Sequence, residues 1–284
     1  MRRNWLAWAW LGLPILYFCL LFAVPLIDLL RMGFSKPLPQ RITGGDFSLD
    51  NFVEIFTNPL YRDTLWVTIR IGATVALATL LLGYPLALFL ARTQSRAKGF
   101  LLFLTLSPIF ISGVVRAYGW IVLLSNKGLV NSALMQLGLI TRPVRLIFNE
   151  TGIVIATTHV LLPFMVLAIM GSLQSLDIAL EDAAASLGAR RWQVLRDVVI
   201  PLSLPGVAAG VMLVFILGVS SFVTPILLGG QVVLTMPVLA LQQFTTAFNW
   251  AFGSAITLFL LAAVLGITIA YDRLLQGRLA RGAA

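Results

Sequence analysis

Few side chains in this sequence could do chemistry, and most of those that could stand inside apolar runs. Arg116 interrupts the run from Phe100 to Leu124, and His159 is the one titratable group between Thr151 and Leu176. Arg70 and Asp28 lie nearer the ends of apolar runs, where an anchoring role suffices, and Asp28 could pair with Arg70 or Arg116. Ser220-Ser221 and Thr224-Pro225 set hydroxyls beside a proline. A guanidinium in lipid faces a cavity, pairs with a neighbour or snorkels to the interface. Hydroxyls line a polar route, or take the carbonyls that a proline leaves free. Both readings are open for Arg116, Ser220, Ser221 and Thr224, the candidate residues of a polar route. His159 has no second His, Cys or carboxylate at ligand spacing, and the single Cys19 permits neither an intrachain disulfide nor a Cys-based metal site. There is no G-x-S-x-G and no G-x-x-x-x-G-K-[ST], so neither a serine nucleophile elbow nor a phosphate loop is present. The chain is read as no enzyme.

The elements that must carry these groups follow from composition. Of 284 residues, 59% are hydrophobic and 11% charged, whereas soluble domains carry about 25% charge. That excludes an ordinary soluble enzyme and a disordered chain, and predicts an integral membrane protein. The net charge of +9 is scattered, with no stripe that could follow a nucleic-acid backbone. At about 20 apolar residues per span, Trp5–Ile27, Ile71–Ala91 (beginning near Thr64), Phe100–Leu124 and Thr151–Leu176 give four helices. Met1-Arg2-Arg3-Asn4 resembles a signal-peptide start, but the apolar stretch is too long and lacks a cleavage site, so it reads as a retained helix. Val198 to Tyr271 has no charged residue. It divides at Gly229-Gly230-Gln231 and Phe248-Asn249-Trp250 into a fifth helix, about Leu204–Leu228, and a sixth, about Phe252–Leu275. Glycines 206, 210 and 218, with Ala208, suit close helix packing. An all-α bundle of six transmembrane helices is expected, with both termini on one side. Arg2, Arg3, Arg92, Arg96, Lys98, Arg190, Arg191, Arg196, Arg273, Arg278 and Arg281 crowd the segments that are inner if the N-terminus is inside. Arg31, Lys36, Arg41, Arg62, Lys127, Arg142 and Arg145 are spread over the longer outer ones. Lys and Arg density therefore predicts cytoplasmic termini.

The inner segment 177–200 is not linker-like. Asp177 can cap a helix that has Glu181 and Asp182 near its positive end, an alanine face at Ala183-Ala184-Ala185, and Gly188 as its C-terminal stop. A second piece, Arg190–Ile200, sets Trp192, Leu195 and Val199 at helical spacing before Pro201 stops it. Such a helix either packs on its own bundle or offers small residues for another protein to approach.

Asp182-Ala183-Ala184, three residues, Gly188, nine residues, then Val198-Val199-Ile200-Pro201 resembles the EAA loop of ABC-importer permeases. Asp182, Val198 and Ile200 depart mildly from its Glu, Ile and Leu. Gly83-Tyr84-Pro85, Lys127-Gly128-Leu129-Val130-Asn131, Leu137-Gly138-Leu139-Ile140, Pro143-Val144-Arg145 and Leu161-Leu162-Pro163-Phe164-Met165 are similar to the spermidine/putrescine branch. The resemblance covers the core from about Thr64 to Leu275. It implies a type I importer bundle in a bacterial inner membrane. Residues 1–60 would be an N-terminal helix and first periplasmic loop. Residues 61–284 would be the transport domain, with coupling loop 177–200 and a short cytoplasmic C-terminus. It implies that Glu181, Asp182, Ala183, Ala184 and Gly188 contact a cytoplasmic ATPase dimer, which would hold ATP and Mg while this chain holds no cofactor. A second, homologous but non-identical permease, a periplasmic binding protein and a polyamine or related solute are also implied. Against a polyamine, aromatics abound (Trp120, Phe222, Phe244, Trp250) but carboxylates are scarce in the spans, and Arg116 would repel a cation. The alternatives are an anionic or zwitterionic solute in the same machine, or a stand-alone secondary transporter.

Overall fold

The computed structural model describes residues 4–36 and 46–282. The charge-count residues Arg2, Arg3 and Arg41 lie outside the described residues, as do the side chains of Arg278 and Arg281. In chain order the helices are α1 (Asn4–Gly33), α2 (Asp50–Thr57), α3 (Pro59–Arg92), α4 (Lys98–Phe110), α5 (Gly113–Leu124), α6 (Leu129–Gln136), α7 (Glu150–Gln174), α8 (Ile178–Ser186) and α9 (Arg191–Val194). A widened turn, Leu195–Val199, leads into α10 (Ile200–Val219); a second, Pro225–Gly229, precedes α11 (Met236–Thr245) and α12 (Trp250–Gly282). Among the described residues, five helical stretches are long and apolar enough to cross a membrane, with α9–α10 one of them; the bent pair formed by α4 and α5–α6 makes a sixth if taken as one span. An all-helical chain is the expected solution, because every backbone group in lipid must be paired within the protein.

Three expectations need correction. The run Phe100–Leu124 is not one helix, because α4 ends at Phe110 and the chain turns by 103° before continuing. Pro108 has no N–H for the Leu104 carbonyl, which the Ser107 hydroxyl takes instead at 2.9 Å, and Ile111 and Ser112 then adopt extended ψ near 134°. Arg116 would lie about 25 Å up a single straight helix starting near Gly99, at 1.5 Å per residue; it instead stands in the first turn of the second limb. Next, Pro201 does not stop the loop segment. The Ile200 N–H reaches back to the Leu195 carbonyl, and this wider turn carries the chain past the proline into α10. The fifth span accordingly runs Arg191–Val219 rather than Leu204–Leu228. Finally, the outer segments read as loops contain α2, α6 and α11.

The chain forms two compact units. The larger comprises Thr64–Thr235 with Ile267–Ala284. Its centre is the packing of α7 on α10, with Ile153, Met165, Val166, Ile169, Leu173 and Val214 fully buried. Lipid gives helices no hydrophobic reason to associate, so close approach at small residues must supply the attraction. A Cβ on Gly206 would sit 2.4 Å from the Ser172 Cβ and 2.8 Å from the Ala168 carbonyl oxygen, and one on Gly210 would lie 2.8 Å from the Met165 sulfur. On α3, Gly72 meets Val219 in the same way, while Tyr84 and Ser203 share a hydroxyl hydrogen bond of 2.9 Å. Asn131, fully buried, donates to the Ser125 and Val144 carbonyls and accepts from the Val144 N–H at 2.8 Å, sewing the segment after α5 into a fixed turn.

The smaller unit comprises Met1–Asp63 with Met236–Gly266. Asn51 of α2, 2% exposed, donates to the carbonyls of Gly33 and Ser35 and so fixes α2 to the end of α1. Aromatic pairs hold the rest: Phe34 on Phe52, Phe56 on Phe259, Tyr61 on Phe252 and Phe244 on Trp250.

Candidate functional site

The loop helix α8 forms as its sequence dictates. The Asp177 carboxylate accepts from the Ala179 N–H at 2.9 Å. At the other end Gly188 takes φ +89°, with its N–H on the Ala185 carbonyl and the Ala189 N–H on that of Ala184. This paired closure needs a left-handed residue, which glycine adopts without strain. No residue of α8 is buried. Asp182, Ala183 and Gly188 are exposed and Ala184 half-buried. Ile178, Leu180, Leu187 and Trp192 are exposed around them, Leu187 at 91%. The helix thus buries nothing and is flanked by bare apolar side chains, the kind of surface that marks a contact with another protein or with a membrane. Glu181 differs from its neighbours in the motif: it is half-buried and ion-paired with Arg92, the last residue of α3.

Within the spans, the groups read as a polar route fall into two places. The Arg116 guanidinium donates to the carbonyls of Pro108 and Ile111, so it caps the carbonyl end of α4 rather than pairing with Asp28. Arg70 pairs with Glu150 at the start of α7, and Asp28 is exposed. One turn beyond Arg116, the Trp120 indole N–H donates to Nδ1 of His159 at 3.4 Å. Ser220 and Ser221 occupy a second break, between α10 and the Pro225–Gly229 turn, with Ser220 exposed, Ser221 half-buried and Thr224 buried. The two breaks are neighbours: a Cβ on Gly113 would lie 3.8 Å from Arg116 Nη2 and 3.9 Å from Val223.

A third feature escaped the sequence reading. In the smaller unit, Asp50, Asn51, Glu54, Tyr61, Gln243, Asn249 and Phe252 line a cavity of about 410 Å³. Asp50 and Glu54 stand one turn apart on α2 and share the cavity lining with the edge-to-face pair of Tyr61 and Phe252. The Ser48 hydroxyl accepts the Asp50 N–H at 2.9 Å; serine followed by a turn of Asp, Asn and Phe was the signal for this short helix.

Residues 5–279 match the family described as binding-protein-dependent transport system inner membrane component. The chain belongs to that family. It is a permease subunit of a binding-protein-dependent ABC importer, a multi-pass inner-membrane protein and not an enzyme. The permease is 31% identical to the spermidine/putrescine transport system permease protein PotB of Haemophilus influenzae over 250 residues, 88% of this chain and 87% of that one. It is 36% identical to PotB of Escherichia coli over 223 residues, covering 78% and 80%. The inner membrane ABC transporter permease protein YdcU of Escherichia coli is 32% identical, covering 76% and 73%. Among solved structures, its fold is similar to that in a bacterial ABC transporter involved in the import of the acidic polysaccharide alginate. The TM-score is 0.76 at 22% identity, covering 96% of each chain.

Proposed function

We propose that this permease passes a polyamine or a related small organic cation from a periplasmic binding protein across the inner membrane. The observation that carries the substrate class is the cavity that Asp50 and Glu54 line with Tyr61 and Phe252. It offers the carboxylates that are scarce in the spans, for an ammonium group, beside aromatic faces for its alkyl chain. The names of the PotB relatives point the same way. Arg116, the main argument for an anionic solute, already donates to two backbone carbonyls. Termini and loop 177–200 are taken as cytoplasmic, with residues 1–60 an addition to a transport domain of residues 61–284.

In this reading Asp182, Ala183, Ala184 and Gly188, with Glu181 behind them, form the face toward a cytoplasmic ATPase dimer, which binds ATP and Mg. The exposed apolar rim of α8 and the resemblance to the EAA loop support it. A second, non-identical permease completes the pathway. Arg116, Ser220, Ser221 and Thr224 border it where the two broken helices meet, since interrupted helices free backbone groups to meet a solute. The test is uptake of radiolabelled spermidine by cells carrying the whole importer, with and without this chain. Uptake that depends on the chain and is competed by putrescine is expected. Uptake of an anionic solute in place of spermidine would overturn the substrate assignment.

A further inference from the structure

We infer that Glu181 acts inside this permease rather than on its partner: its ion pair with Arg92 ties the loop helix to the inner end of α3 and carries movement between them. The inference rests on the reading of residues 177–200 as the ATPase-docking loop.

Packing gives α8 little hold on the bundle. It buries no residue, and it packs chiefly on α9 and the turn that follows it in the chain. Its other side-chain bonds are local: Asp177 to Ala179, and Ser186 to Asp182. Among the described residues, the bond between Arg92 and Glu181 is the one side-chain hydrogen bond of α8 to a distant part of the sequence. Arg92 is well placed for this. It ends α3, where the negative end of the helix favours a cation. Its Nε is buried with no acceptor, and among the described residues Glu181 is the one carboxylate ion-paired with the guanidinium. Both side chains are 26% exposed, which screens the pair less than an open surface pair.

Beyond Arg92, α3 is continuous for 34 residues, about 50 Å at 1.5 Å per residue. Along that length it meets α10 at Gly72 and Ser203 and pairs with the start of α7 through Arg70 and Glu150. A displacement of α8 therefore reaches a single rod that touches both central helices. Asp182, exposed beside Glu181, is left as the acidic residue free to meet the partner.

The test uses the complete importer, purified through this chain with its ATPase, second permease and binding protein. Two quantities are read: the ATPase retained, and the stimulation of its turnover by binding protein with spermidine. Glu181→Gln and Arg92→Gln should retain the ATPase yet lose stimulation roughly 5-fold or more, the scale of coupling between sites. The exchanged pair R92E/E181R should restore stimulation, which a merely destabilised loop would not, and it remains informative if a single variant fails to fold. Asp182→Asn should instead shed the ATPase. Full stimulation in either single variant, loss of the ATPase from Glu181→Gln, or failure of the exchange to rescue would each overturn the inference. Failure of the docking reading itself is visible separately, as an unmutated chain that retains no ATPase.

Discussion

If loop 177–200 docks the ATPase as proposed, Gly188 is a position where stability and coupling can be separated. Its φ of +89° belongs to the left-handed region, and a Cβ there would meet nothing within 4 Å. A substitution therefore brings backbone strain and no clash. For an L-residue the left-handed conformation costs about 1–2 kcal/mol, with β-branched side chains at the upper end and asparagine at the lower. A cost of that size reduces the population of the closed turn by a factor of roughly 5–30. The two bonds that close α8, from Gly188 to Ala185 and from Ala189 to Ala184, open with it. The damage stays local, because Leu187 and Gly188 are exposed and α8 buries no residue. Gly188→Asn, Gly188→Ala and Gly188→Val should thus lower binding-protein-stimulated ATPase turnover in that order, by about tenfold or more for valine. The melting temperature of the purified complex should fall by no more than roughly 4 °C. Turnover in Gly188→Val equal to the unmutated chain would refute the reasoning. So would a collapse of the whole bundle, since the turn would then not be a local device.

Three further outcomes follow from the geometry. Gly206→Val should destabilise the α7–α10 contact by about 1–3 kcal/mol or more, read as a lowered melting temperature in detergent, whereas Gly266→Ala, with nothing within 4 Å, should not. Asn131→Leu leaves the carbonyls of Ser125 and Val144 and the Val144 N–H without their partner. At about 1–3 kcal/mol per unsatisfied buried group, the segment 125–150 should become protease-sensitive. The double substitution D50N/E54Q should raise the KM for spermidine uptake about tenfold, as loss of roughly 1.4 kcal/mol of binding would, while the ATPase still co-purifies.

The membrane class, the number of apolar runs and the whole of α8 were legible because each rests on local signals. Asp177 and Gly188 are cap residues whose bonds lie within a few positions of them, and glycines 206 and 210 stand where small residues allow close approach. What was not legible depends on partners distant in sequence or on backbone detail. A helix that is apolar all round carries no periodicity to mark its interruption, so the break after Phe110 showed only as Pro108, while Pro85, Pro163 and Pro205 stand inside unbroken helices. The capping of α4 by Arg116 could not be foreseen without that break. The widened turn before Pro201 defeats the rule that proline ends a helix. Glu181 and Asp182 are alike in sequence, and only the fold brings Arg92 to one of them. The acidic cavity was missed because Asp50 and Glu54 sit on a two-turn helix inside a segment taken for a loop.

The central claim, that this permease is driven through loop 177–200 by a separate ATPase, is tested most directly by purifying the tagged chain after co-expression with its neighbouring reading frames. ATPase turnover is then measured with and without binding protein and spermidine. The predicted result is a co-purifying ATPase whose turnover rises only when binding protein and spermidine are both present. A chain that purifies alone yet still moves solute when reconstituted in vesicles without ATP would contradict the account.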